Sequence, residues 1–218
     1  MVRVDEATAR DDGATLAEDL HVLARAQVRP IVIAPDAALA RSLVRSINRS
    51  ANIALTLGGS DAALLPHTAS GIGRVQTHIL HTLTGAGFIP VVEPTAFAVF
   101  GEDDEPVDAD DVASAIAAAT DAARAIFFHR DGGVPDPQTH EVIGELTPAE
   151  ALALSEDTRV DAELRAAMRA AALGVRSGVG AAQIVDGRVA HAAIVEVLTT
   201  QHLGTRVTGT LTLHRSTH

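Results

Sequence analysis

Residues 85–135, GAGFIPVVEPTAFAVFGEDDEPVDADDVASAIAAATDAARAIFFHRDGGVP, decide the fold. The segment reads as strand, acidic turn, helix, strand and loop. Residues 88–92 form a short apolar run after a glycine turn, the pattern of a buried strand. The acidic run 102–105 and Pro106 break it. Asp108, Asp110 and Asp111 then head an alanine-rich helix, where unpaired amides and the helix dipole favour carboxylates. Residues 125–128 read as a second buried strand, and His129, Arg130, Asp131, Gly132 and Gly133 leave its carboxyl end. A strand–helix–strand unit of this length implies parallel strands. Ligands of such sheets sit outside the carboxyl ends of the strands.

The same alternation extends in both directions. Toward the start, residues 2–4 give a short first strand. Thr15 to Glu18 have capping-box spacing, and Leu16, Leu20, Leu23 and Ala24 make a helical stripe. Residues 30–34 are a buried strand leading into Pro35-Asp36. Residues 37–49 form a helix with Leu39, Leu43, Val44 and Ile47 inward and Arg41, Arg45 and Arg49 outward. Residues 52–57 are a strand that ends in a glycine turn, residues 66–73 a polar loop, and residues 77–84 a short helix carrying His78 and His81. Toward the other end, residues 140–146 are expected as a hairpin partner. Thr147-Pro148-Ala149-Glu150 starts a helix with a cap, a proline in the first turn and a glutamate reaching back. Residues 160–173 form a second alanine-rich helix, residues 181–185 a strand, residues 190–198 a helix and residues 204–213 a final strand. The expectation is an α/β fold, a three-layer α/β/α sandwich with a mainly parallel sheet. No repeat or linker forces a boundary, so residues 1–218 are expected to be one domain.

Of the 218 residues 47% are hydrophobic, ample for a large core. There are five Phe and neither Trp nor Tyr, so that core is built from Ala, Val, Leu and Ile. A formal charge of −11 argues against nucleic acid or an acidic membrane as partner. The sequence shows neither a run of about eighteen apolar residues nor a charged-then-apolar leader, so a soluble, cytoplasmic protein is expected. The absence of Cys excludes disulfides, thiolate metal sites and cysteine nucleophiles. All 17 basic residues are Arg. A mechanism that needs an ε-ammonium therefore has none in this chain, and Arg supplies charge but not a compact, deprotonatable amine. A GC-rich coding bias also depletes Lys, but rarely strips one that catalysis requires.

The chain resembles the amino-acid kinase superfamily, acetylglutamate kinase in particular, along nearly its whole length. The resemblance is carried by Ala17-Glu18-Asp19, Leu57-Gly58-Gly59-Ser60-Asp61, Ala86-Gly87-Phe88-Ile89-Pro90-Val91 and Val107-Asp108-Ala109-Asp110. It continues through Glu145-Leu146-Thr147-Pro148-Ala149-Glu150-Ala151, Ile184-Val185-Asp186-Gly187-Arg188 and His202-Leu203-Gly204-Thr205. It implies an open, mainly parallel sheet with ATP and an acid substrate bound along one edge, and assembly as a homodimer or larger homo-oligomer.

Departures from the family pattern fall where the chemistry would be. The family's first strand runs into Lys-x-Gly-Gly, and this chain has Arg3-Val4-Asp5-Glu6. The Gly-Gly-Gly turn that would hold phosphates is Ala34-Pro35-Asp36; Pro has no amide to give and Asp36 repels a phosphate. The substrate lid expected after that turn is missing. Asn-x-Asn-Ala-Asp has become Pro106-Val107-Asp108-Ala109-Asp110, which keeps the final carboxylate that organises the family's catalytic lysines. The Thr-Asp pair that faces the nucleotide is His129-Arg130, and the late helix begins with the Lys-free Val160-Asp161-Ala162-Glu163. Losing cationic clamps and a glycine cradle costs roughly 3 kcal/mol per donor, which counts against ATP–Mg binding; no cofactor is assigned.

Asp110 is thus the candidate catalytic residue. Gly58, Gly59, Ser60 and Asp61 are a candidate small-anion or carboxylate site, or else a tight strand–helix turn. Asp108 either positions a ligand or caps a helix. His129 and Arg130 can bind an anion or form a surface loop. His78 and His81, spaced i and i+3, lack an acidic residue nearby, and no metal site is assigned. Arg188 and residues 202–205 match the effector region of arginine-regulated members, which carry an N-terminal helix not seen in this sequence. Three functions follow. The first is a member without phosphoryl transfer, acting as a small-molecule or anion-binding, regulatory or scaffolding subunit. The second is an active carboxylate kinase or altered transferase in amino-acid-derived biosynthesis, and the third an oxyanion or metal storage protein.

Overall fold

The computed structural model describes residues 1–69, 71–98 and 104–209. Its first strand, β1 (Val2–Arg3), is followed at once by helices α1 (Glu6–Asp11) and α2 (Gly13–Arg25). Then come β2 (Val32–Ile33), α3 (Ala37–Ile47), β3 (Ala54–Leu57), β4 (Pro66–Thr68), β5 (Gly71–Ile72) and α4 (His78–Gly85). The central stretch supplies β6 (Ile89–Val92), β7 (Thr95–Ala98), β8 (Asp104–Pro106), α5 (Ala109–Ala119) and β9 (Arg124–Phe128). The chain continues with β10 (Glu145–Leu146), α6 (Pro148–Ser155), α7 (Ala162–Arg176), β11 (Ala181–Val185), α8 (Ala192–Leu198) and β12 (Thr205–Val207).

Eight strands form the main sheet in the order β10-β12-β11-β9-β1-β2-β6-β3. Every neighbouring pair is parallel except β11 with β12. Because helices cover both faces, the inner strands are buried on both sides rather than alternating; all five residues of β11 are buried, Gln183 among them. One face packs Val112 and Ile116 of α5, Leu164 and Met168 of α7, and Leu80 of α4. The other packs Ala9 of α1, Leu16, Leu20 and Leu23 of α2, Leu43 and Ile47 of α3, and Ala193 of α8. This is the expected α/β/α arrangement. Among the described residues no helix is long and apolar enough to cross a membrane.

Several local expectations need correction. Residues 66–73, read as a loop, hold the antiparallel hairpin β4–β5, which joins β7 and β8 in a second, four-stranded sheet. Within the acidic run, Asp104 and Glu105 lie on β8, paired antiparallel with β7; Glu102 and Asp103 lie outside the described residues. Thr15 does not cap a helix, because α2 already begins at Gly13, and an additional short helix, α1, capped by Asp5, precedes it. Of the expected last strand, Thr205–Val207 is present, and residues 210–213 lie outside the described residues. In the segment 140–146, Glu145 and Leu146 pair parallel with β12 instead of folding back as a hairpin strand; the antiparallel contact is a single bridge from Pro135 to Val142.

Candidate functional site

The carboxyl edge of the sheet collects the ends of β1, β2, β3, β6, β9 and β11. From β1, Arg3 reaches Asp110 in the first turn of α5, with Nε 2.7 Å from Oδ1 and Nη2 donating to Oδ2 at 3.3 Å. Asp110 is only 4% exposed. Burial raises its pKa to about 6; the Arg3 charge opposes this, while Asp108 and Asp111 push the same way. Asp108 caps the helix, its Oδ1 accepting the amides of Asp110 at 2.8 Å and Asp111 at 3.2 Å. The carboxylate retained from the family pattern therefore has a guanidinium partner from the first strand.

The turn after β3 brings Gly58, Gly59, Ser60 and Asp61 together, with the amide donors an anion site would need. Those donors are already taken. The amide of Gly58 donates to Asp61 Oδ2 (2.7 Å), that of Gly59 to Thr95 Oγ1 (3.0 Å), and that of Ser60 to Asp104 Oδ2 (3.1 Å). Thr95 in turn donates to Asp104 Oδ2 at 3.1 Å. The same substitution recurs at the helix starts on this edge. Asp5 accepts the Thr8 amide at the head of α1, and Asp36 accepts the Leu39 amide at the head of α3. Asp161 accepts the amides of Glu163 and Leu164 at the head of α7. Where helix amides and dipoles would meet a phosphate, each of these helices meets an aspartate of its own chain.

His129, just beyond β9, is 2% exposed. Its Nδ1 accepts the Asp131 amide at 3.2 Å, and its Nε2 lies 3.8 Å from Asp161 Oδ1. Burial lowers its pKa, although Asp131, Asp161, Asp5 and Glu163 all pull the other way. Arg130 points outward, with Nη2 4.0 Å from Asp161 Oδ2. Arg188 is forked onto Asp186 at 2.8–2.9 Å and also donates to the Arg130 carbonyl. His202 lies 3.3 Å from Glu196, which also accepts the Leu203 amide. His78 and His81 are exposed on α4, away from this edge. His81 lines a cavity of about 470 Å³ at the amino ends of the strands with Met1, Arg29, Pro30 and Arg124.

The structure thus gathers two clusters: Arg3 with Asp108 and Asp110, and His129 with Arg130, Asp161 and Glu163. Asp161 and Glu163 had no assigned role in the sequence. Their signal was the position of Val160-Asp161-Ala162-Glu163 at the start of the late helix, where the resemblance expects a lysine.

An open, mainly parallel sheet with helices on both faces and acid-rich loops at its carboxyl edge defines a three-layer α/β/α protein. The chain belongs to the amino acid kinase family, whose model matches residues 6–186. It is similar to the acetylglutamate kinase of Acidiphilium cryptum, 30% identical over 214 residues that cover 88% of this chain and 71% of that enzyme. It is also similar to that of Campylobacter curvus, 32% identical over 182 residues, 78% of this chain and 63% of that one. The chain therefore spans roughly two thirds of the length of these relatives. Among solved structures, N-acetylglutamate synthase of Neisseria gonorrhoeae, complexed with coenzyme A and N-acetyl-glutamate, superposes with a TM-score of 0.81. It has 17% identity, covering 96% of this chain and 59% of that one. The protein smu.665 of Streptococcus mutans gives 0.78 with 12% identity, covering 96% and 98%. At these identities the superpositions speak to fold alone.

Proposed function

We propose that this chain is an amino acid kinase family member that does not move a phosphoryl group from ATP, and that it serves as a small-molecule-binding, regulatory or scaffolding subunit. The observation that carries this reading is the set of aspartates that cap the carboxyl edge. Phosphoryl transfer depends on amides and cations aimed at the developing charge. Here the amides at residues 8, 39, 58 and 60 bond to the chain's own carboxylates. A polyphosphate at this edge would have to displace those carboxylates and then face them. Arg3, the cation on the first strand, is already engaged by Asp110.

A second reading, an active carboxylate kinase, is favoured by one feature. Arg3 occupies the first-strand position of the expected lysine and contacts the carboxylate that would organise it. One experiment separates the two. The purified chain is incubated with γ-labelled ATP, Mg²⁺ and N-acetylglutamate, and acyl phosphate is trapped as the hydroxamate. The expected result is no product above a protein-free blank and no thermal shift with ATP–Mg. Transfer that disappears in Asp110→Asn establishes the kinase instead.

A further inference from the structure

We infer that His129, Asp161 and Glu163 form a site for a divalent transition-metal ion of the zinc class, open to solvent at the carboxyl edge of the sheet. One ligand atom from each residue lies within 4.8 Å of the others. An ion held tetrahedrally by bonds of about 2.0–2.1 Å needs its ligand atoms about 3.4 Å apart. The His129 Nε2 to Asp161 Oδ1 separation of 3.8 Å is a few tenths from that value. Glu163 is exposed on the first turn of α7 and is free to swing inward.

A second, independent feature marks the place. His129 Nε2 is buried and has no hydrogen-bond partner, a rare condition for a polar atom inside a protein. It points at the Asp161 carboxylate across a gap too long for a hydrogen bond and suited to an ion between them. Imidazole with carboxylates, in a chain without thiolates, suits zinc, manganese or ferrous iron and leaves positions for water or an anionic ligand.

Charge favours a cation here. Asp5, Asp131, Asp161, Glu163 and Asp186 all lie close enough to His129 to interact with it electrostatically. Against these five carboxylates stand the positive end of α7, Arg130 and Arg188. Arg188 is already engaged by Asp186, and Arg130 is 58% exposed at 4.0 Å from Asp161. Loading the metal moves the ring proton to Nδ1. The 3.2 Å bond from the Asp131 amide would then be given up, and Asp131 Oδ2, 3.9 Å from that nitrogen, would have to close by about 1 Å to accept a hydrogen bond from it. That closure would complete the carboxylate–histidine–metal arrangement that fixes ring orientation in metal sites.

The test uses the full chain, stripped with a chelator and titrated with Co²⁺ without nucleotide, so its outcome is independent of the transfer reading. Visible absorption reports the coordination. The expected result is saturation at one equivalent with the intense bands of a low-coordinate site, displaced by Zn²⁺. Glu163→Gln and Asp161→Asn, whose caps and exposure let them fold, should each weaken binding at least tenfold with an unchanged far-ultraviolet spectrum. His129→Ala should abolish it, and these two variants decide the matter if that protein does not fold. Lack of saturable one-equivalent binding at micromolar metal, or equal affinity in wild type and Glu163→Gln, overturns the site.

Discussion

Asp110 faces a guanidinium at 2.7 Å, yet burial prevails and raises its pKa from 3.8 to about 6. Taking a carboxylate out of water costs more than one partly buried cation returns. Between pH 4 and 6 the folded chain therefore holds a proton at this site that the unfolded chain has released. Asp110 thus contributes stability that is fully present below about pH 4 and lost as pH rises through about 6. The shift from 3.8 to about 6 corresponds to about 3 kcal/mol as an order of magnitude. Asp110→Asn removes this dependence. Urea unfolding at pH 4, 5, 6 and 7 should show wild-type stability falling by about 3 kcal/mol relative to the variant across that range. Asp157, Asp161 and Asp186, whose pKa values are lowered, act in the opposite sense and are common to both proteins. A difference that stays flat with pH would mean that Arg3 holds the carboxylate ionised throughout.

At the scale of elements, the turn after β3 is held by close contact with β7. A Cβ on Gly59 would meet the Thr95 carbonyl and sit 2.6 Å from Ala96 Cα, backbone that cannot move aside. A Cβ on Gly58 would meet the end of the Asp104 side chain at 3.1 Å, which needs to give by only a few tenths of an ångström and can do so while keeping its bonds to Ser60 and Thr95. Gly59→Ala should therefore cost about 3 kcal/mol and Gly58→Ala less than about 1 kcal/mol, read from urea midpoints. Equal losses would show that the turn does not pack as described. The contrast also explains what the sequence reveals. Strands β9 and β11 and helices α3, α5 and α7 are legible because their apolar runs and Asp caps are local. The second sheet is not, since its strands are two to four residues long, mostly half-buried, and aligned only by one another. Helix α1 hides because it buries only Thr8 and Ala9. The glycine turn was visible, but its occupation by Asp104 depends on a strand 44 residues away. The His129 cluster was equally out of reach, because only the docking of α7 beside β9 brings Asp161 and Glu163 to the imidazole.

For the molecule as a whole, the main sheet is shared between two cores. In β9, Ala125 and Phe127 enter one core, and Ile126 and Phe128 enter the other. In β2 and its lead-in, Ile31 and Ile33 face one side, and Val32 and Ala34 the other. Alternate side chains of the same strands thus tie α4, α5, α6 and α7 to α1, α2, α3 and α8. Neither layer of helices can leave without exposing the sheet that the other layer needs, so the chain should unfold as one unit. Leu43→Ala opens a cavity under α3, and Met168→Ala opens one under α7, each at a cost of about 2–5 kcal/mol. Each variant should lower hydrogen-exchange protection of amides on both sides of the sheet by the same factor. It should also leave one calorimetric transition, with van't Hoff and calorimetric enthalpies equal. Two transitions, or loss of protection confined to the layer that carries the substitution, would divide the chain into separately folding parts.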